Sequence, residues 1–520
     1  VIETMPPWIQ TLELPAPSLQ DNTADMDRVI GTLRTRLGTD HVEVDLRLLG
    51  RLPALLRQSR FKFRCLVFQS RCGWRLIEVA SSDDPGPFAG LAVDLGTSRI
   101  VLRLLALDSG RVLGEAAFEN PQITVGYDIL TRIHYACQAE GLTALTGLLI
   151  GGLNREISEL CQSLEMSPSR IYVVSAAGNT AMTQLFLGLD PHWLIREPYI
   201  PAVNTPPVLR ADQIGLEIHP AAAVFVFPNV GSYFGGDVVA GILYSGMHRR
   251  EDTVMLVDVG TNAEVVVGNR NWLIACAGAA GPALESGVTR MGMMAGPGAI
   301  DRVRISPQTR ELDIQTIDDL PPKGICGSGV IDLAAQLFLS GMIDNRGKLV
   351  ASVCGQRLLD ADGMAHLIVV PADSSATGSA LTFSQADLDS LIRSKAAMYT
   401  ILETITTSVG ISFGDLTAFF VAGTFGSFIN PASAVTIGMV PDLPLERFQS
   451  LGNSSIGGAS RLLEGGVSLT EIDEVRNRIT YLELNVNQEF MNRFSAAKFL
   501  PHTDAARFPS VAKWQEQGLS

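Results

Sequence analysis

No long apolar run, no Cys-x-x-Cys pair and no excess of positive charge occur in the 520 residues. Each absence excludes something. The longest apolar runs, such as Ala221 to Phe227, are about ten residues or fewer, too short for a bilayer-spanning helix. Seven cysteines are scattered at 65, 72, 137, 161, 276, 326 and 354. Their odd number and spacing predict buried thiols in a reducing cytoplasm rather than a disulfide framework. The one conceivable pair, Cys65 with Cys72 across a hairpin, is disfavoured. Seven histidines show no ligand spacing, so no structural zinc is expected. Lys and Arg number 40 against 54 Asp and Glu, for a net charge of −14. A nucleic-acid or anionic-membrane surface needs a basic face, so neither partner is expected. No Walker A sequence and no GxGxxG after a strand is found, which removes the common nucleotide folds. Aromatic residues are only 7%, but apolar residues reach 46% and mean hydropathy is +0.22. That composition suits a well-cored enzyme of more than one domain.

What is present centres on Leu91 to Leu105, LAVDLGTSRIVLRLL. An apolar run ends at Asp94; Gly96, Thr97 and Ser98 follow, then a second β-branched run. This reads as strand, tight turn, strand. The glycine lets the backbone lie close to an anion. The turn N–H groups and the two hydroxyls can then face phosphate oxygens, and Asp94 can hold a metal-bound water beside them. Alone, the pattern is more often an ordinary turn. It returns, however, at Val254 to Gly268, VMLVDVGTNAEVVVG, with Asp258, Gly260, Thr261 and Asn262 in the same order. A third glycine-rich turn follows an apolar strand at Phe419 to Gly426, carrying Gly423, Thr424 and Gly426. The set resembles the two phosphate elements and the adenosine element of the actin-like ATPase superfamily. That resemblance implies an α/β fold of duplicated, ribonuclease H-like halves.

Taken in order, residues 1–20 read as a Pro-rich extended linker. Residues 21–85 read as a small α/β domain. It has a helix carrying Met26, Val29, Ile30, Leu33 and Leu37, a strand at Val42 to Leu46, and a second helix with Pro53 in its first turn. Two strands follow, Lys62 to Gln69 and Trp74 to Ala80. Ser81 to Gly90 is a linker. The large domain then runs over 86–520, with lobes at about 90–237 and 238–470 and a C-terminal strand and helix in 471–520. Within it, Asn120 to Arg132 reads as a polar loop and capped helix start. Asn179 follows a strand and opens a helix, as a cap or a ligand to nucleotide. Gly235, Gly236 and Asp237 open another helix, and helix N-termini receive anions. Residues 350–378 read as a surface excursion. Phe383 to Thr407 reads as a long helix starting at Ser384, with Lys395 solvated.

Longer stretches resemble one family, the reductive activators of corrinoid proteins. They are NPQITVGYDILTRI (120–133), AAGNTAM (176–182), GGDVVAG (235–241), VDVGTNAE (257–264), AGPALESG (280–287), GICGSGVID (324–332), AGTFGSFINP (422–431) and GNSSIGGA (452–459). The N-terminal LPAPSLQDNTADMDR (14–28) and RLPALLR (51–57) resemble its linker and middle domain. The resemblance implies ATP-dependent, one-electron reduction of a Co(II) corrinoid to Co(I) on a partner protein, with electrons from a ferredoxin or reductase. It implies ATP and Mg²⁺ as ligands, and a cytoplasmic homodimer joined through the small domain. Asp94 and Asp258 would place Mg²⁺ and the attacking water, with Asp237 a weaker metal candidate. Gly96, Thr97, Ser98, Gly260, Thr261 and Asn262 would cradle phosphates, with Asn179, Gly235 and Gly236 beside them. Gly423, Thr424 and Gly426 would line the adenosine. Family members commonly carry a [2Fe–2S] cluster in an N-terminal ferredoxin-like domain. This sequence opens at Val1 without that cysteine pattern, so the cluster is expected in a domain outside these residues. Three alternatives stand beside this reading. They are a small-molecule kinase of the same fold, a nucleotide-sensing scaffold, and a dehydratase activator, for which Cys276 and Cys326 are the only cysteines near nucleotide-type loops.

Overall fold

Ile9–Glu13 is extended, as a linker would be, but it is paired: it forms β1, antiparallel to Lys62–Ser70. Trp8 and Leu12 are buried beneath it, an alternation hidden among prolines and polar residues. With β2 (Val42–Val44), β3 (Lys62–Ser70) and β4 (Gly73–Ser81) it makes a four-stranded sheet in the order β1-β3-β4-β2. Helix Asp25–Leu37 buries Val29, Ile30, Leu33 and Leu37, the face expected from spacing. The next helix corrects the reading. It spans Leu46–Gln58 and places Pro53 in its interior. Its start is set by Asp45, whose side chain accepts from the Arg47 N–H at 2.8 Å. Burial of Leu48, Leu52 and Leu56 along one stripe carries the helix through the proline.

The computed structural model describes residues 8–84, 86–260, 263–278, 289–306, 308–361, 363–423, 430–483 and 489–519. They form two compact units, Val1–Tyr244 with Ser454–Arg478, and Ser245–Asn453 with Ile479–Ser520. Among the described residues, no helix is long and apolar enough to cross a membrane.

The first unit is built on six strands: β5 (Ala89–Leu95), β6 (Arg99–Ala106), β7 (Val112–Glu119), β8 (Ile171–Gly178), β9 (Leu209–Arg210) and β10 (Ala223–Val226). Their order is β7-β6-β5-β8-β10-β9. β5 pairs antiparallel with β6 and parallel with β8, and β8 pairs parallel with β10. Leu91, Val93 and Leu95 alternate into a core shared with Leu145, Leu149 and Leu153 of helix Gly141–Ser163. Helices Gly236–Ser245 and Ser454–Leu463 pack closely on each other. A Cβ on Gly458 would lie 2.1 Å from the Ala240 carbonyl oxygen.

The second unit repeats the plan. It has β11 (Val254–Val259), β12 (Ala263–Gly268), β13 (Leu273–Gly278), β14 (Ala299–Ile305), β15 (Leu312–Thr316) and β16 (Gly324–Ile325). Then come β17 (Leu358–Ala361), β18 (Met364–Val370), β19 (Leu381–Ser384), β20 (Ala418–Ala422), β21 (Phe448–Gly452) and β22 (Ile479–Tyr481). The main sheet runs β21-β20-β11-β12-β13-β22. β11 pairs antiparallel with β12 and parallel with β20, as β5 does with β6 and β8. The stretch read as a surface excursion holds a hairpin, β17 with β18. Helix Gln385–Ser408 starts at a capping box of Ser384 and Asp387. Lys395 is not solvated. It is fully buried, and its Nζ donates to the carbonyls of Phe499 and Pro501, the latter at 2.8 Å. These two carbonyls give the buried ammonium its hydrogen-bond partners. Burial holds its pKa well below the ordinary lysine value.

Candidate functional site

In the first unit, the predicted residues gather at the carboxyl ends of the parallel strands, where ligands sit in open α/β sheets. Asp94 is the penultimate residue of β5, in register with Val101 on one side and Ala177 on the other. The chain then turns through Gly96, where a Cβ would lie 2.0 Å from the Arg99 carbonyl oxygen, so only glycine fits. Thr97 is partly buried and Ser98 exposed. Asn179 follows its strand and uses both ends of its amide. Its Oδ1 accepts from the Met182 N–H at 2.9 Å, capping helix Thr180–Leu187. Its Nδ2 donates to Thr97 Oγ1 at 3.0 Å. A threonine hydroxyl that accepts there directs its own proton elsewhere, which suits it to donate to a phosphate oxygen.

Close approach explains the glycines. A Cβ on Gly178 would lie 2.7 Å from Leu95 Cβ, and one on Gly235 would lie 2.4 Å from Asn179 Cα and 2.7 Å from Asp237 Oδ1. Gly235, Asn179 and Asp237 are therefore neighbours at one corner. Asp237 Oδ1 accepts from the Val238 N–H at 2.9 Å in the first turn of helix Gly236–Ser245. Thr180 Oγ1 donates to the Gly231 carbonyl at 3.0 Å and joins that loop to the same corner.

The second unit brings Asp258 and Gly423 together. Asp258, on β11, is in register with Glu264 of β12 and Ala422 of β20. Gly423 follows with φ +86°, a backbone that favours glycine. A Cβ there would lie 2.6 Å from the Val259 carbonyl oxygen and 2.9 Å from Asp258 Oδ1. The correspondence with the first unit is residue by residue. Gly178 presses on Leu95, one past Asp94, and Gly423 presses on Val259, one past Asp258. Gly260 is partly buried at the end of β11. Thr261, Asn262, Thr424 and Gly426 lie outside the described residues.

Several residues were missed or undervalued by sequence reasoning. Asn120, Gln122 and Arg132 are fully buried in the first unit. Arg132 Nε donates to the Gly126 carbonyl at 2.8 Å, and one of its terminal nitrogens lies 3.3 Å from Gln122 Oε1. Burial pulls its pKa down to about 10. The capped start does exist: Asp128 accepts from the Thr131 N–H at 2.8 Å. In the second unit, Asp332 accepts from the Val303 N–H at 2.7 Å and from Ser433 at 2.5 Å. It ties helix Gly327–Leu339 to β14 and to helix Pro431–Thr436. An acid inside an apolar helical pattern, in GICGSGVID, was the available signal.

All seven cysteines are free thiols. Cys276 and Cys326 are buried, and burial pushes Cys276 up to about 12. A protonated thiol is a poor metal ligand. Among the described residues, no group of three or more His, Cys, Asp or Glu side chains is placed to hold a metal ion. The cysteines of this chain therefore do not fit a [2Fe–2S] cluster.

Three family models match the chain in succession: the RACo linker region over residues 6–85, the RACo middle region over 89–250, and the C-terminal domain of RACo, the ASKHA domain, over 252–512. A corrinoid activation enzyme, RamQ, of Eubacterium limosum is 29% identical over 431 residues, covering 81% of this chain and 72% of RamQ. The [Co(II) methylated amine-specific corrinoid protein] reductase of Methanosarcina barkeri is 23% identical over 443 residues, covering 78% and 75%. Among solved structures, a reductive activator for corrinoid, iron-sulfur protein superposes with a TM-score of 0.88 at 35% identity. That match covers 98% of this chain and 82% of the other.

Proposed function

The chain belongs to the RACo family of corrinoid-protein activators, and from that premise we propose that it couples ATP hydrolysis to reduction of a partner protein's corrinoid. One electron from a ferredoxin or reductase would convert Co(II) to Co(I), while ATP and water give ADP and phosphate. The observation that carries the ATPase half is the repeated strand end. In each unit an aspartate precedes a glycine-rich turn, and a glycine of the next parallel strand is pressed against the residue after that aspartate.

In this reading the turns at Gly96–Ser98 and Gly260–Asn262 bind phosphates through backbone N–H groups and hydroxyls. Asn179 orients the Thr97 hydroxyl and lies beside Gly235, and Gly236 follows it at the start of the next helix. Gly423, with Thr424 and Gly426 by their place in the sequence, would line the adenosine. Asp94 and Asp258 orient the attacking water and hold Mg²⁺, with Asp237 in a supporting place. Gly423 lets the backbone after β20 pass close to Asp258, where a Cβ would lie 2.9 Å from Oδ1. Bound Mg²⁺ supplies charge neutralisation on the phosphates. Positioning and charge, rather than a strong base, are what the chain's own residues contribute to phosphoryl transfer. No electron-transfer step runs through a cluster held by this chain. The reading further includes a cytoplasmic homodimer formed through the small N-terminal domain, which light scattering with and without that domain tests.

The deciding experiment is ATP hydrolysis by the chain, with and without a corrinoid protein in its Co(II) and methylated forms. Stimulation by the Co(II) form alone is the expected result. Phosphate transfer from ATP to a small metabolite, or nucleotide-dependent polymer without turnover, would replace the activator reading with a kinase or a scaffold.

A further inference from the structure

The Gly96–Ser98 turn is gripped from behind by one buried side chain. Asn120 is the first residue past β7 and is fully buried. Its Oδ1 accepts from the Gln122 N–H at 3.0 Å, which caps the short 3₁₀ turn Pro121–Thr124. A cap needs only that bond. Asn120 makes more, and two of its bonds go to the phosphate-type turn: its Nδ2 donates to the Gly96 carbonyl at 2.9 Å, and its backbone N–H to the Ser98 carbonyl at 2.9 Å, while Nδ2 also lies 3.8 Å from Met182 Sδ. In a trans peptide the C=O and N–H point in opposite directions. Holding those two carbonyls therefore turns the N–H groups of Thr97 and Arg99 away from Asn120. It also keeps two partial negative charges off the face that an anion would meet. The grip is itself anchored, because buried Gln122 donates through Nε2 to the Leu145 carbonyl at 3.0 Å.

We infer that Asn120 is a positioning residue for the nucleotide's phosphates, acting by fixing the direction of the Gly96 and Ser98 peptide groups. The inference rests on the reading of this turn as a phosphate site.

The test uses the full chain and the variants Asn120→Asp and Asn120→Ala. Aspartate keeps the size, the cap and the backbone bond; it loses the Nδ2 donor and sets a carboxylate oxygen against the Gly96 carbonyl. Titration calorimetry with AMP-PNP and with adenosine separates phosphate binding from nucleoside binding. Asn120→Asp should weaken AMP-PNP by about tenfold or more, the effect of one lost hydrogen bond to a binding group, and leave adenosine unchanged. Asn120→Ala carries the same comparison if the aspartate variant does not fold. A purely structural role predicts equal losses for both ligands. Equal losses, or none, in a chain whose parent prefers AMP-PNP would overturn the inference alone. A parent chain with no preference for AMP-PNP over adenosine would overturn the phosphate reading beneath it.

Discussion

At the scale of the residue, the proposed chemistry rests on Thr97, Asn179 and Asp258. Asn179 uses both ends of its amide, one to cap a helix and one to orient Thr97. The cap expected from the sequence is there, and the same amide also holds Thr97. Asp258→Ala should preserve the fold and lower ATP turnover by at least about a hundredfold, the low end for a residue that positions the attacking group. Single-turnover hydrolysis beside a circular-dichroism melt checks it, and near-normal turnover would remove Asp258 from the mechanism. Gly178→Ala places a Cβ 2.7 Å from Leu95 Cβ. Overpacking of that kind costs about 1–3 kcal/mol, read as a lower urea midpoint. Asp94, Asp258 and the paired Gly-Thr turns were legible because strand, acid and glycine are local in sequence. Asn120 was legible only as the start of a polar loop, because its partners in the turn lie 22 and 24 positions away in sequence and meet it only when β6 and β7 pair.

At the scale of the element, hydrophobic period marked helices such as Asp25–Leu37 and Gln385–Ser408 and the strands beside the Asp-Gly-Thr turns, and it failed where a polar group is satisfied from a distance. Lys395 is the clearest case. It looks like the exposed position of a long amphipathic helix, yet its partners are carbonyls about a hundred residues later. Lys395→Met removes the donor to both carbonyls, so a loss of about 1–3 kcal/mol is expected in urea denaturation. The start of β11 offers a pH test. Asp252 bonds to Arg250 at 2.6 Å and to the Thr417 hydroxyl just before β20. The Arg250 bond, followed by that of Thr417, lowers its pKa from the ordinary 3.8 to about 2. A lowered acid stabilises the fold above 3.8, and that contribution disappears as pH falls from 3.8 towards 2. Asp252→Asn should therefore be less stable than the parent at pH 6, with the two converging near pH 2. A gap that persists at pH 2 would refute the linkage.

At the scale of the whole molecule, the small N-terminal sheet is part of the first unit rather than an appendage. Arg170 pairs with Asp84 at 2.6 Å, Arg210 with Asp45 at 2.9 Å, and Arg71 with Asp473 at 2.5 Å. Partly exposed pairs contribute little each, so their service is registry. The apolar joint is Phe88 against Tyr172, ring centres 5.3 Å apart, with the buried Trp8 indole donating to the Leu463 carbonyl at 3.2 Å. Each unit has its own core, as the apolar alternation in β5 and β11 requires. Calorimetric unfolding should accordingly depart from two-state behaviour, and a calorimetric enthalpy equal to the van't Hoff value would contradict that. The sequence alone determined the α/β class, the duplicated strand–Asp–Gly–Thr turns and the family, because each is written in short contiguous stretches. Tertiary structure alone decided that Ser454–Arg478 returns to the first unit, that Lys395 is buried, and that Asn120 grips the phosphate-type turn. Those facts depend on pairings between distant segments, and burial of a polar group is stable only where such a pairing supplies its partner.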